Sequence, residues 1–117
     1  DAKITAGYRL KARHVIHAVG PVYARRDPNV PKLLASAYQR SLEIAHAHQL
    51  KSIAFPAISC GVYGYPLHEA APIALRSVVD AVRAGTSLES VRFVLFTEDT
   101  LEAFAEALAQ IVATEGL

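Results

Sequence analysis

Apolar residues in this chain fall into short blocks that switch between continuous runs and helical spacing. Arg13-His14-Val15-Ile16-His17-Ala18-Val19 is β-branched and continuous rather than alternating, which predicts a strand covered on both faces. Gly20-Pro21 ends it, and the stretch from Tyr23 to Pro31, with Arg25, Arg26, Asp27 and Asn29, reads as an exposed loop. From about Pro31 the period becomes helical. Leu34, Ala37, Tyr38, Ser41, Leu42 and Ala45 share one face, with Asn29 or a neighbour as cap and proline tolerated in the first turn. That helix fades at His46-Ala47-His48, and a short buried strand, Ser52 to Phe55, follows.

A second helix from about Leu67 carries Ala71, Ala74, Leu75, Val78 and Val82 and stops at Ala84-Gly85, glycine being the usual helix terminator. Val91 to Phe96 predicts a third strand. Thr97-Glu98-Asp99-Thr100 then offers capping side chains and early acidic charge to a last helix, whose expected core face is Leu101, Phe104, Ala105, Leu108 and Val112. Asp1 to Lys11 mixes polar and turn-forming residues around Gly7 and reads as a connection or a sheet edge. The order β-α-β-α-β-α argues for an α/β domain with helices packed on a mostly parallel sheet, whose ligands bind beyond the carboxyl ends of the strands.

Two such ends stand out. Phe55-Pro56 leads into Ala57-Ile58-Ser59-Cys60-Gly61-Val62-Tyr63-Gly64-Tyr65-Pro66, a loop with two glycines that feeds a helix. Backbone N–H groups and a helix dipole directed at one spot suit phosphate. The other end, Leu95-Phe96, offers an aromatic ring. The plainer alternative is a turn in which Gly61 and Gly64 merely permit unusual backbone angles.

Composition narrows the choice. The 117 residues suffice for one domain, and a net charge of +1 supplies no basic field of the kind nucleic-acid binders show. No apolar run approaches the ~20 residues of a membrane-spanning helix. Cys60 is the single cysteine, so no internal disulfide forms; with no signal-peptide pattern, a cytoplasmic protein is expected. The glycine loop lacks a Lys-Ser or Lys-Thr pair and does not fit G-x-G-x-x-G, so neither the P-loop nor the dinucleotide fingerprint applies. No arginine follows Cys60 in the loop to hold a phosphate beside a thiolate, and G-x-S-x-G around Ser59 is absent, which disfavours both as nucleophiles. The histidines form no ligand set: His14 and His17 are placed for opposite strand faces, His46 and His48 diverge, and His68 stands alone. No metal is expected, and His17 reads as a hydrogen-bonded core residue. Phe96 reads equally as core or as a stacking ring.

Several stretches together resemble the macrodomain family, an ADP-ribose-binding α/β fold. They are Ala2-Lys3-Ile4-Thr5 with Gly7-Tyr8-Arg9-Leu10, then Val15-Ile16-His17-Ala18-Val19-Gly20-Pro21, then Ser36-Ala37-Tyr38 with Ser41-Leu42, and above all Ile53 through Pro66. In order and spacing they are similar to the branch that removes mono-ADP-ribose from proteins or deacetylates O-acetyl-ADP-ribose. The resemblance implies a three-layer α/β/α fold with a mixed, mostly parallel sheet. Ser59, Cys60, Gly61, Val62, Tyr63 and Gly64 would form the second diphosphate-binding loop, with Tyr63 over the distal ribose. Pro56, Leu95 and Phe96 would form the adenine pocket, Phe96 as the stacking ring. Many relatives have Thr at the position of Cys60. Family chains begin earlier, with an adenine-reading Asp, an Asn-Ala-Ala-Asn stretch and a first glycine-rich loop bearing the Asp usually implicated in catalysis. None of these is in the sequence. Residues 1–117 are therefore expected to be one N-terminally incomplete macrodomain whose catalytic residues lie outside it. The implied ligand is ADP-ribose or an ADP-ribosylated protein, with no cofactor, no nucleic acid, no membrane and a monomeric state. A module that binds ADP-ribose without hydrolysing it is the alternative.

Overall fold

Helices α1, Asn29–Ala47, and α2, Leu67–Ala84, and strand β3, Ser52–Phe55, form where the apolar spacing places them. The computed structural model describes residues 2–7 and 14–116; Tyr8, Arg9, Leu10 and Arg13, which figured in the expectations above, lie outside them. The remaining elements are β1, Ala2–Ala6, β2, His14–Ala18, β4, Ser90–Phe93, and α3, Glu98–Glu115. The opening segment is thus a sheet edge: β1 pairs antiparallel with β2, Ile4 opposite Ile16.

The sheet itself is divided. β1 and β2 form one two-stranded sheet and β3 and β4 another, the second pair parallel with Phe55 beside Phe93. Between them the described strands make one antiparallel and one parallel pairing, the mixed character expected of the sheet.

The core gathers on α1, α2 and α3. Leu34, Ala37, Tyr38, Ser41, Leu42 and Ala45 of α1 are all buried, as their spacing requires. Phe55 stacks on Phe93 at 5.7 Å between ring centres, and Tyr38 meets Phe55 edge-on at 5.1 Å. Replacing Leu34, fully buried, by Ala would cost about 2–5 kcal/mol.

The cap of α1 falls to Pro28, the neighbour of Asn29, and the Asp27 carboxylate accepts the Asn29 N–H at 2.9 Å. Three local expectations need correction. β4 stops at Phe93 rather than Phe96. The Val94 N–H still donates to the Phe55 carbonyl at 2.8 Å, but after Phe55 the chain leaves β3 for the loop, so no β3 residue remains to extend the ladder. α3 buries Ala103, Phe104, Ala107 and Ile111, whereas Leu101, Ala105, Leu108 and Val112 are exposed, as is Val82 of α2. Finally, His17 is hydrogen-bonded, its Nε2 2.9 Å from Thr5 Oγ1 on β1, but it is exposed rather than in the core. The Thr97 cap is as expected, its hydroxyl accepting the Thr100 N–H at 3.2 Å. Among the described residues no helix is long and apolar enough to cross a membrane.

Candidate functional site

The loop from Pro56 to Pro66 joins the carboxyl end of β3 to the first turn of α2, and its shape is set from below and from one side. From below, Tyr38 of α1 reaches up with its hydroxyl. It donates to the Pro56 carbonyl at 3.3 Å and accepts the Ile58 N–H at 3.0 Å, so one phenol holds both flanks of Ala57. Burial pushes this phenol's pKa up, and it stays protonated as the donor. From the side, the segment after β2 presses on the loop. A Cβ at Gly20 would lie 2.3 Å from Ser59 Oγ and 2.4 Å from Ile58 Cγ2, so any larger residue there would push these side chains of the loop aside. The Tyr23 N–H donates to the Tyr63 carbonyl at 2.9 Å, and the Tyr23 ring packs on Tyr65 at 5.0 Å.

Within the loop the chain turns twice. Cys60 N–H donates to Ala57 O at 3.2 Å, Gly64 N–H to Gly61 O at 3.0 Å, and Tyr65 N–H to Ser59 O at 2.9 Å. Ser59, at φ 66°, and Gly64, at φ 72°, take the left-handed conformation; it is natural for glycine and strained for serine. The outcome is chemical. The N–H groups of Ser59, Gly61, Val62 and Tyr63 meet no acceptor among the described residues, and Gly61 to Gly64 are exposed. Successive unpaired amides on a turn make a concavity suited to an anion. Gly61 leaves it open, since a Cβ there would meet nothing within 4 Å.

Side chains contribute little charge. Cys60 is half-buried, and burial raises its thiol pKa, the reverse of what a thiolate nucleophile needs. Among the described residues the loop's hydrogen-bond partners include no carboxylate; nearby Glu69 accepts from the Tyr23 hydroxyl at 3.5 Å. Among the described residues no group of three or more His, Cys, Asp or Glu is placed to hold a metal ion.

The remaining expected residues flank the loop. Pro56 is at its base, and the Val94–Phe55 bond holds the end of β4 alongside, bringing Leu95 and Phe96 to the neighbouring strand end. Leu95 is half-buried against the core, while Phe96 is 88% exposed and so is no core residue. Sequence spacing missed Gly20, Tyr23 and Tyr38 as parts of this site. Gly20-Pro21 stood out as a strand terminator and Tyr38 as one position of a helical stripe, both also within stretches that resemble the family, but neither carried a signal for a role in the loop.

The profile of the Macro domain family matches residues 1–74. This chain belongs to that family. A macro domain-containing protein of Xanthomonas axonopodis is 47% identical over 109 residues, covering 93% of this chain and 61% of the relative. One from Vibrio parahaemolyticus is 49% identical over 111 residues, with 94% and 62% covered. The chain therefore spans about three-fifths of the length of these curated relatives. Among solved structures, the Oceanobacillus iheyensis macrodomain with ADP superposes with a TM-score of 0.92 at 38% identity, over 97% of this chain and 60% of that one. The Trypanosoma brucei macrodomain in complex with ADP-ribose gives 0.83 at 37% identity, over 92% and 44%. The α/β fold of this chain is the macrodomain fold in part.

Proposed function

We propose that this macro domain binds ADP-ribose at the Pro56–Pro66 loop and, as part of a complete domain, hydrolyses mono-ADP-ribose from modified proteins or the ester of O-acetyl-ADP-ribose. The observation that carries this reading is the row of unpaired, exposed amides at Gly61, Val62 and Tyr63, joined by that of Ser59. A diphosphate accepts from several backbone donors at once, and charge-assisted bonds of this kind are roughly twice as strong as neutral ones. Cys60 and Gly64 shape the turn by spending their own N–H groups inside it. Tyr63, 41% exposed, has its ring free to cover the distal ribose. The adenine lies between Pro56, Leu95 and Phe96, with the exposed Phe96 ring as the stacking surface.

Hydrolysis places further demands. With the diphosphate fixed, the distal ribose is held for attack by a water, activated by the ligand's own phosphate or by a carboxylate from the rest of the domain. Residues 1–117 form one unit of that domain and act as a monomer. A specific observation favours the reader alternative for the chain by itself: among the described residues no carboxylate is hydrogen-bonded to the loop.

Calorimetry with ADP-ribose, paired with product analysis on a mono-ADP-ribosylated protein, separates these readings. Saturable binding with product release supports the hydrolase, and saturable binding without product over hours supports the reader. Absence of any binding rejects both.

A further inference from the structure

Charge is unevenly spread along this chain. Residues 2–42 hold eight Lys or Arg against one acid, Asp27, whereas residues 43–117 hold four against nine, so a net charge near zero conceals a basic half. In that half Arg25 and Arg26 stand side by side. The segment after β2 turns at Ala24–Asp27, where the Asp27 N–H donates to the Ala24 carbonyl at 3.1 Å, and the two arginines occupy the central positions of the turn. Both are exposed, and among the described residues neither makes a hydrogen bond or an ion pair. The Asp27 carboxylate is turned to the Asn29 N–H at 2.9 Å, Glu69 accepts from the Tyr23 hydroxyl, and the first turn of α1 adds Lys32 and no acid. Neither the turn nor the fold accounts for this pair. Turn chemistry favours Gly, Pro, Asn, Asp and Ser, and adjacent like charges repel.

The arginine turn is tied to the candidate site. Tyr23, two residues before Arg25, donates its N–H to the Tyr63 carbonyl at 2.9 Å and packs its ring on Tyr65. Two residues of extended chain span about 7 Å, so the backbone of Arg25 is no farther than that from a residue bonded to Tyr63. Tyr63 is the residue assigned above to the distal ribose, the end of ADP-ribose through which a modified protein is attached.

We propose that the Arg25–Arg26 turn recognises the protein part of the substrate: it takes an acidic stretch beside the modified residue of a mono-ADP-ribosylated protein. This rests on the reading above, in which the loop holds ADP-ribose with Tyr63 over the distal ribose. Arginine suits the task, because its planar guanidinium holds a carboxylate through two parallel hydrogen bonds. A protein segment fits better than a nucleic acid, whose binders neutralise many phosphates along a backbone where this turn offers two guanidinium groups. Exposed ion pairs are weak one by one. The arginines therefore sort substrates that the loop already holds, the tether to ADP-ribose raising the local concentration of the acidic stretch.

The test compares two peptides that each carry an ADP-ribose through a hydrolysis-resistant linkage, one with Asp and Glu on both flanks and one with Asn and Gln there. Calorimetry at low salt is run on the 117-residue chain and on its Arg25→Ala/Arg26→Ala variant, with free ADP-ribose as control. The variant should keep the thermal midpoint of the parent, because both positions are exposed and neither has a positive φ. The parent chain is expected to bind the acidic peptide about three- to tenfold more tightly than the neutral one, a preference that added salt weakens. The double variant should show no preference and bind free ADP-ribose as the parent does. An equal preference in the variant, or none in the parent, overturns the proposal and leaves the loop reading intact. Failure of the parent to bind free ADP-ribose sinks the loop reading and this proposal with it. If single-stranded RNA binds the parent more tightly than the acidic peptide and the double variant loses it, the turn serves nucleic acid and the proposal is equally overturned.

Discussion

Ser59 combines a left-handed backbone, φ 66°, with a hydroxyl that is buried and has no hydrogen-bond partner among the described residues. Each of these features costs stability, on the order of 1–3 kcal/mol, and such costs persist where surrounding structure imposes them. Here the imposing structure is Tyr38 below and Gly20 beside the loop. Tyr38→Phe removes the hydroxyl that serves Pro56 and Ile58, leaving a carbonyl and an N–H unsatisfied; unfolding in denaturant should show a loss of about 1–3 kcal/mol. ADP-ribose affinity should fall with it, as the amides lose their alignment. Gly61→Val is expected to behave oppositely. A Cβ there meets nothing within 4 Å in the fold, so the thermal midpoint should hardly move while calorimetry finds ADP-ribose binding lost. Phe96→Ala should leave stability nearly unchanged, because the ring is 88% exposed, yet weaken binding by about 1–3 kcal/mol, the scale of base–aromatic stacking. Unchanged affinity in that variant would place the adenine elsewhere.

At the scale of elements, α1 was legible in the sequence because Leu34, Tyr38 and Leu42 recur at helical spacing and leave one choice of face. α3 was not. It packs on α2, and its buried face is Ala103, Phe104, Ala107 and Ile111, half of it alanine, which hydropathy undervalues. Leu101, Leu108 and Val112 drew the eye because they are larger, and they are on the outside. Charge then fixes the far end of this helix. Glu115 accepts from Arg76 of α2, with Nη1 at 2.9 Å, and from Arg83 Nη1 at 2.7 Å. Hydrogen bonding from Arg76, assisted by the charges of both arginines, pulls its carboxyl pKa down to about 2 from 4.5. A carboxylate whose pKa is lower in the folded state stabilises the fold above its unfolded value, and that contribution fades as the pH drops from about 4.5 towards 2. Thermal melts across this window should therefore show an acid-induced fall that is smaller in Glu115→Gln, with the variant already less stable at neutral pH. An identical fall in both would deny the clasp its role.

For the molecule as a whole, the alternation of strand and helix and the family's loop could be read from the residues, because both are written in contiguous patterns. The division of the sheet could not, since a strand's pattern records that it is buried and not which neighbour buries it. Likewise Gly20 and Tyr23 reach the loop across more than thirty residues of sequence, a contact that no local spacing encodes. The picture that results is a scaffold of three helices and two strand pairs presenting one turn whose amides face outward. The central claim, that these amides hold the diphosphate of ADP-ribose, is tested most directly by titrating ADP-ribose into the ¹⁵N-labelled chain and following each backbone amide. The account predicts saturable shifts that are largest at Ser59, Gly61, Val62 and Tyr63 and that vanish with Gly61→Val. Saturable shifts centred on other residues, or none at these four, would contradict it.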